Sequence, residues 1–245
     1  MSEQLAHRLN ELEEKLNLDF RDKELLKLAL VHRSYLNEKS TAHQSNERLE
    51  FLGDSVLGAV VAEFLYRNYP SSSEGDLTDL RSALVRRETL SKWASAFELG
   101  LFLFLGKGEA ATGGRTRPQI LAASFEAVLG ALFLDQGLEA VCTWLIPQVE
   151  AELKIILAEG RYRDYKSLLQ ETAQRLYRIG PVYKVVNESG PEHERIFNIE
   201  VSINEQVLAM GTGRTKQEAQ QFAARDALEK LKVTNTTETL TETNS

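Results

Sequence analysis

The sequence predicts an all-α domain over residues 1–156 followed by a small α+β module over residues 165–232 with the order α-β-β-β-α. Three observations predict this. Apolar residues recur at helical spacing throughout the first part. Strand-like alternation first appears beyond Pro181, where Phe197, Ile199, Val201 and Ile203 recur at period two. The charge also changes sign between the parts. Residues 1–160 hold 17 Lys/Arg and 24 Asp/Glu, residues 161–232 hold 12 and 10, and residues 233–245 hold no base and two Glu.

The helical part reads in order. Leu5, Leu9, Leu12 and Leu16 line the first helix, and Leu26 and Leu30 fall in a second over 23–36. Three more patterns cover 46–68, 76–97 and 119–134, separated by breaks such as YPSSSEGD and ATGGRTRP. A Gly-containing polar stretch at 157–164 is expected to be a linker. Beyond it, a helix at about 164–178 precedes the strands PVYKVV, 197–203 and QVLAM. A capping box of Thr215 and Glu218 opens the last helix, whose buried side is lined by Ala219, Ala223, Ala227 and Leu231. Residues 233–245, with six Thr in thirteen, are expected to be disordered.

Composition narrows the function. The chain has 245 residues, 42% hydrophobic and 27% charged, with a net charge of −7. That balance argues against wrapping nucleic acid by bulk charge and against a cationic membrane binder. The lone Cys142 fits a reducing compartment. The N-terminus is helical and charged rather than a secretory signal. The longest mostly apolar stretch, Ile120 to Leu134, is short for a bilayer and carries Glu126. A cytoplasmic protein without a membrane partner is expected.

The stretch NERLEFLGDSVL, residues 46–57, is the most informative. With Glu47 at zero on a helical wheel, Glu50 falls at about 300° and Asp54 at about 340°. Leu49, Leu52 and Val56 fall opposite, where a core would lie. Like charges so spaced repel. The stripe is therefore either a solvated face or one side of a cation site. Hard ions such as Mg2+ take carboxylate oxygens of this kind. Phe51 falls on the acidic side, which fits either a partner surface or a helix buried on several sides. Gly53 and Gly58 weaken a helix interior, which suggests close approach by another chain segment.

NERLEFLGDSVL resembles the signature of the bacterial ribonuclease III family, whose members cut double-stranded RNA. The resemblance extends through ALVHRSYLNE, EGDLTDLRSALV, ELGLFLFLGKGE and ILAASFEAVLGALFLD, then into a module like a double-stranded-RNA-binding domain. It implies a homodimer with one cleavage centre per subunit. It also implies products with 5′-phosphate and 3′-hydroxyl ends and short 3′ overhangs, in ribosomal and messenger RNA processing. Metal ligands would be Glu50, Asp54 and Glu126, with Glu47 and Glu74 lining the cutting valley. Phe51 would lie at the dimer interface. The implied cofactor is Mg2+, with Mn2+ as a substitute and no small-molecule cofactor. The four His show no metal-ligand pairing, and His32 reads as structural.

One position departs from the family pattern. A carboxylate is expected at 123, one turn before Glu126, and the chain has Ala123. Water or Ser124 would fill the vacancy, or the site is crippled and the protein only binds RNA, or the change was introduced on purpose. Retained but more Mg2+-demanding cleavage is the favoured expectation.

In the second module, Gln170, Glu171 and Gln174 match positions that reach a minor groove of A-form RNA, where recognition uses shape and 2′-hydroxyls. Gly190, Pro191, Glu192 and His193 match a loop that enters the next minor groove. Arg214 and Lys216 stand at the start of the last helix, where the backbone also favours phosphate. Gln217 and Gln220 stand where the family often has lysine, which predicts weaker salt dependence than a lysine-rich module would show.

Overall fold

Leu9, Leu12 and Leu16 are fully buried along one side of α1 (Glu3–Leu16), as the leucine spacing requires. The computed structural model describes residues 3–36, 44–159, 164–191 and 195–242. It separates into two compact units, Met1–Tyr162 and Arg163–Ser245.

In the first unit, the pattern expected as one helix over 23–36 is two: α2 (Lys23–Ala29) and α3 (Arg33–Leu36). The chain extends between them because Val31 bridges Phe104, and the amides of Phe104 and His32 bond the carbonyls of Leu30 and Phe104. After α4 (Glu47–Asn68), the pattern expected over 76–97 also divides, into α5 (Glu74–Val85) and α6 (Arg87–Ala96). Arg86 is extended there, and Ser73 caps α5 through the Asp76 amide. Two short helices follow, α7 (Leu99–Phe102) and α8 (Lys107–Ala111), with a 3-10 turn at Gly114–Thr116. Arg115 donates to the carbonyls of Gly100, Leu101 and Leu103, closing the end of α7.

The unit is organised around α9 (Pro118–Gln136) and its long contact with α4. Phe125 is fully buried, with its ring 5.5 Å from Trp93 and 5.6 Å from Trp144. The Trp144 indole donates to the Leu16 carbonyl at 2.6 Å, tying α1 to α10 (Leu138–Glu159). By length and composition alone α9 is long enough to span a bilayer, contrary to the sequence expectation, but 61% of its apolar window is buried inside this unit. That burial accounts for its apolarity. Helix α10 runs three residues into the segment expected to be linker, because no Gly or Pro stands between Pro147 and Gly160.

The second unit begins with α11 (Tyr165–Tyr177), capped by Asp164 through the Ser167 amide. Strands β1 (Val182–Ser189), β2 (Ile196–Ile203) and β3 (Gln206–Gly213) form an antiparallel sheet in that order. Helix α12 (Lys216–Glu242) lies against β2 and β3 and beside α11. Ala219, Ala223, Ala227 and Leu231 are its buried side. A Cβ at Gly211 would sit 2.1 Å from the Ala219 carbonyl oxygen, so glycine lets the helix rest on the strand. The capping box forms with a shift. The Glu218 amide bonds Thr215 Oγ1, but the Glu218 carboxylate reaches the Arg214 amide, one residue further back. The helix continues to Glu242, into the segment expected to be disordered; neither Gly nor Pro interrupts it there.

Candidate functional site

Backbone packing places the acids. A Cβ at Gly53 would fall 1.7 Å from the Glu126 carbonyl oxygen, and one at Gly130 would fall 2.3 Å from that of Leu49. Helices α4 and α9 therefore touch main chain to main chain, which only glycine permits. Gly58 meets nothing within 4 Å, so the close approach expected of both α4 glycines belongs to Gly53 alone. Asn46 fixes the start of α4. It is buried, its Nδ2 donates to the Ala29 carbonyl, and its amide donates to that of Val31.

This contact brings Glu126 on α9 within the electrostatic reach of Glu50 and Asp54 on α4. Burial first, then the charges of Asp54 and Glu50, push the Glu126 carboxyl up to about 7. Burial also raises Glu50, with Glu47 and Asp54 adding to the effect and Arg33 opposing it. Glu47 is exposed at the edge, holding Ser45 Oγ at 2.7 Å and lying 3.9 Å from Arg33. Glu74 stands apart at the start of α5, where it accepts from Thr78 Oγ1. Phe51 is 77% exposed, which excludes the core reading of that residue in this chain.

Ala123 is partly exposed on the same side of α9 as Glu126 and lines an open cavity of about 530 Å³. Glu47, Glu50, Glu109, Arg117 and His32 line it too. Ser124 is fully buried and its hydroxyl donates to the Ile120 carbonyl at 2.7 Å. It therefore points into the core and does not fill the vacancy at 123. His32 is a joint: Nδ1 meets Ser34 Oγ, which accepts from the Gly106 amide, and burial lowers its pKa. Burial raises the Cys142 thiol, which opposes thiolate chemistry.

The donors are all carboxylate oxygens, and burial beside like charges raises the proton affinity of Glu50 and Glu126. That chemistry suits a hard divalent cation, which is content with one or two carboxylates plus water. Among the described residues, however, no three His, Cys, Asp or Glu side chains are drawn close enough to cage an ion. The acids form an open half-site, with Ala123 on the side where a further ligand would stand.

Residues 22–149 match the family model described as Ribonuclease-III-like, and residues 165–231 match that of the double-stranded RNA binding motif. A protein named Ribonuclease 3 from Protochlamydia amoebophila is 45% identical over 91% of each chain. One of the same name from Dehalococcoides mccartyi is 44% identical over 94% of this chain and 98% of its own. The chain belongs to the ribonuclease III family. The crystal structure of the nuclease domain of the Campylobacter jejuni ribonuclease III is also similar, with a TM-score of 0.54 and 40% identity over 58% of this chain and 94% of that one. Ribonuclease III is a double-stranded-RNA endoribonuclease, and this chain falls in that enzyme class.

The unit that matches the double-stranded RNA binding motif presents its expected residues unevenly. Gln170, Glu171 and Gln174 are exposed together on α11. Gly190 and Pro191 are exposed beyond β1, and Gly190 takes a φ of 92° that favours glycine. Glu192 and His193 lie outside the described residues. Arg214 and Lys216 are exposed at the start of α12, but the Arg214 amide is occupied by Glu218. The sequence reading missed two neighbours. Lys166 of α11 donates to Gln220 Oε1 at 2.9 Å, and Glu188 of β1 holds Lys216 at 2.9 Å. Both are tertiary pairings between distant positions, and no local spacing signals them.

Proposed function

We propose that this protein is a cytoplasmic, Mg2+-dependent homodimeric nuclease that hydrolyses double-stranded RNA in ribosomal and messenger precursors. It would leave 5′-phosphate and 3′-hydroxyl ends with short 3′ overhangs. The observation that carries this reading is the coupling of Glu50, Asp54 and Glu126 in a chain that also carries a duplex-RNA-binding unit. Glu50, Asp54 and Glu126 would hold Mg2+ or Mn2+. The bound ion would supply charge neutralisation at the scissile phosphate and an activated water.

The chain's own residues prepare the site. Glu126 keeps a proton near neutrality in the bare protein, so that acid competes with cation for the same oxygens. Glu47 lies 3.9 Å from Arg33, and Arg117 is paired with Glu109 in the cavity that Ala123 also lines. Gln170, Glu171 and Gln174 would meet a minor groove, Gly190 and Pro191 the next, and Arg214 and Lys216 the phosphates between.

One observation favours a second reading, binding with little cleavage: the described acids do not close into a three-ligand cage. Cleavage of a long RNA duplex by this chain and by Ala123→Asp, across Mg2+ concentrations, decides between them. The nuclease reading expects both to cut, with the variant saturating at about tenfold less Mg2+. No cut by this chain at any Mg2+ level supports binding alone.

A further inference from the structure

The basic residue that opens α12 is already engaged in the free protein. Lys216 Nζ lies 2.9 Å from Glu188 Oε1 and 5.5 Å from the centre of the Phe197 ring. Glu188 pairs with Phe197 across β1 and β2, so ring and carboxylate are neighbours on the sheet face toward which Lys216 folds. The other Glu188 oxygen lies 3.9 Å from Arg195, at the start of β2. One carboxylate thus stands between two cations of the unit that binds duplex RNA.

We propose that Glu188 restrains RNA binding by competing with phosphate for Lys216. The inference rests on the reading that Lys216 meets RNA phosphate. An arriving phosphate finds an ion pair rather than a bare ammonium. If the pair persists, the carboxylate repels the phosphate from the far side of the lysine. If it opens, the attraction to Glu188 is lost. Either way Glu188 lowers affinity and reduces the net charge brought to the duplex. The opposite role, holding Lys216 ready for RNA, is poorly served by this pair. Lys216 and Glu188 are 56% and 37% exposed, and exposed pairs impose little order. Phe197 beneath the lysine holds it whether or not Glu188 is charged.

The test uses the full chain with a fluorescent RNA duplex of about 20 base pairs, longer than one such unit spans. Binding is followed by anisotropy in EDTA, so that nothing is cut, at several KCl concentrations. Four proteins are compared: the parent, Glu188→Gln, Lys216→Ala and the double variant. Thermal unfolding checks that each is folded. Glu188→Gln is expected to bind about three- to tenfold tighter at low salt. Its advantage shrinks as salt rises, because its log K against log salt slope is steeper by up to about 0.9. Lys216→Ala binds weaker, and the gain from Glu188→Gln is mostly lost in the double variant. Unchanged or weaker binding by Glu188→Gln, with Lys216→Ala still weakened, overturns the restraint and leaves the RNA interface standing. Unchanged binding by Lys216→Ala overturns the interface itself, and the restraint with it.

Discussion

Glu126 shows how a single residue is tuned by what surrounds it. Its carboxyl sits at about 7, raised by burial and then by Asp54 and Glu50. An acid whose folded pKa is raised binds its proton more tightly when folded. Its stabilising contribution is present below the ordinary glutamate range and is lost as pH rises toward 7. Without metal, Glu126→Gln therefore removes a cost that grows with pH. After allowance for partial exposure, the variant should be more stable than the parent by about 1–2 kcal/mol at pH 8. The gap should narrow at pH 6. Calorimetry in EDTA at the two pH values checks this, and an equal gap at both would remove Glu126 as its source. The acid stripe itself was legible at this scale, because 3.6-residue periodicity fixes which side chains share a helix side. The inward turn of Ser124 was not. A hydroxyl beside a vacancy looks like a replacement ligand until the Ile120 carbonyl is seen to accept its hydrogen bond.

Helix pairs respond to what a glycine touches. Gly53→Ala would drive a Cβ into the Glu126 carbonyl and should cost about 3 kcal/mol or more, or prevent folding. Gly58→Ala meets open space and should gain about 0.5–1 kcal/mol. Denaturant melts of the two variants read these opposite signs. The same contrast marks what sequence could say about elements. Two glycines in one helix looked alike, since local pattern does not reveal which one faces a neighbour. The division of 23–36 was hidden for a related reason. Val31 leaves helix to pair with Phe104, far along the chain, and periodicity carries no trace of that bond. Helix α12 offers a further contrast. Gln217→Lys should steepen the salt dependence of duplex binding by up to about 0.9 in the log–log slope. Gln220→Lys should add less, because its ammonium would meet Lys166, which now bonds Gln220. Titrations at several salt concentrations separate the two.

For the whole molecule, the net charge of −7 conceals two different surfaces. The first unit gathers the carboxylates, and the second carries the modest basic excess. Order and type of both units were legible, because hydrophobic period switches from helix to strand at one place in the chain. Assembly is tested at this scale too. Phe51, 77% exposed beside the acids, is an apolar surface in need of cover. Sedimentation equilibrium of the intact chain should give twice the chain mass. Phe51→Asp should shift the protein toward monomer, with its helical circular dichroism retained. An unchanged dimer would place the interface elsewhere.

The contact between Gly53 and Gly130 bears on how this protein can age. Main chain, not acidic side chains, joins α4 to α9. The chemistry is mounted on a frame that does not depend on it. A carboxylate of this site can therefore be replaced without losing the fold. Catalytic decay would be silent in expression and solubility, and a nuclease could drift toward a passive escort of duplexes one side chain at a time.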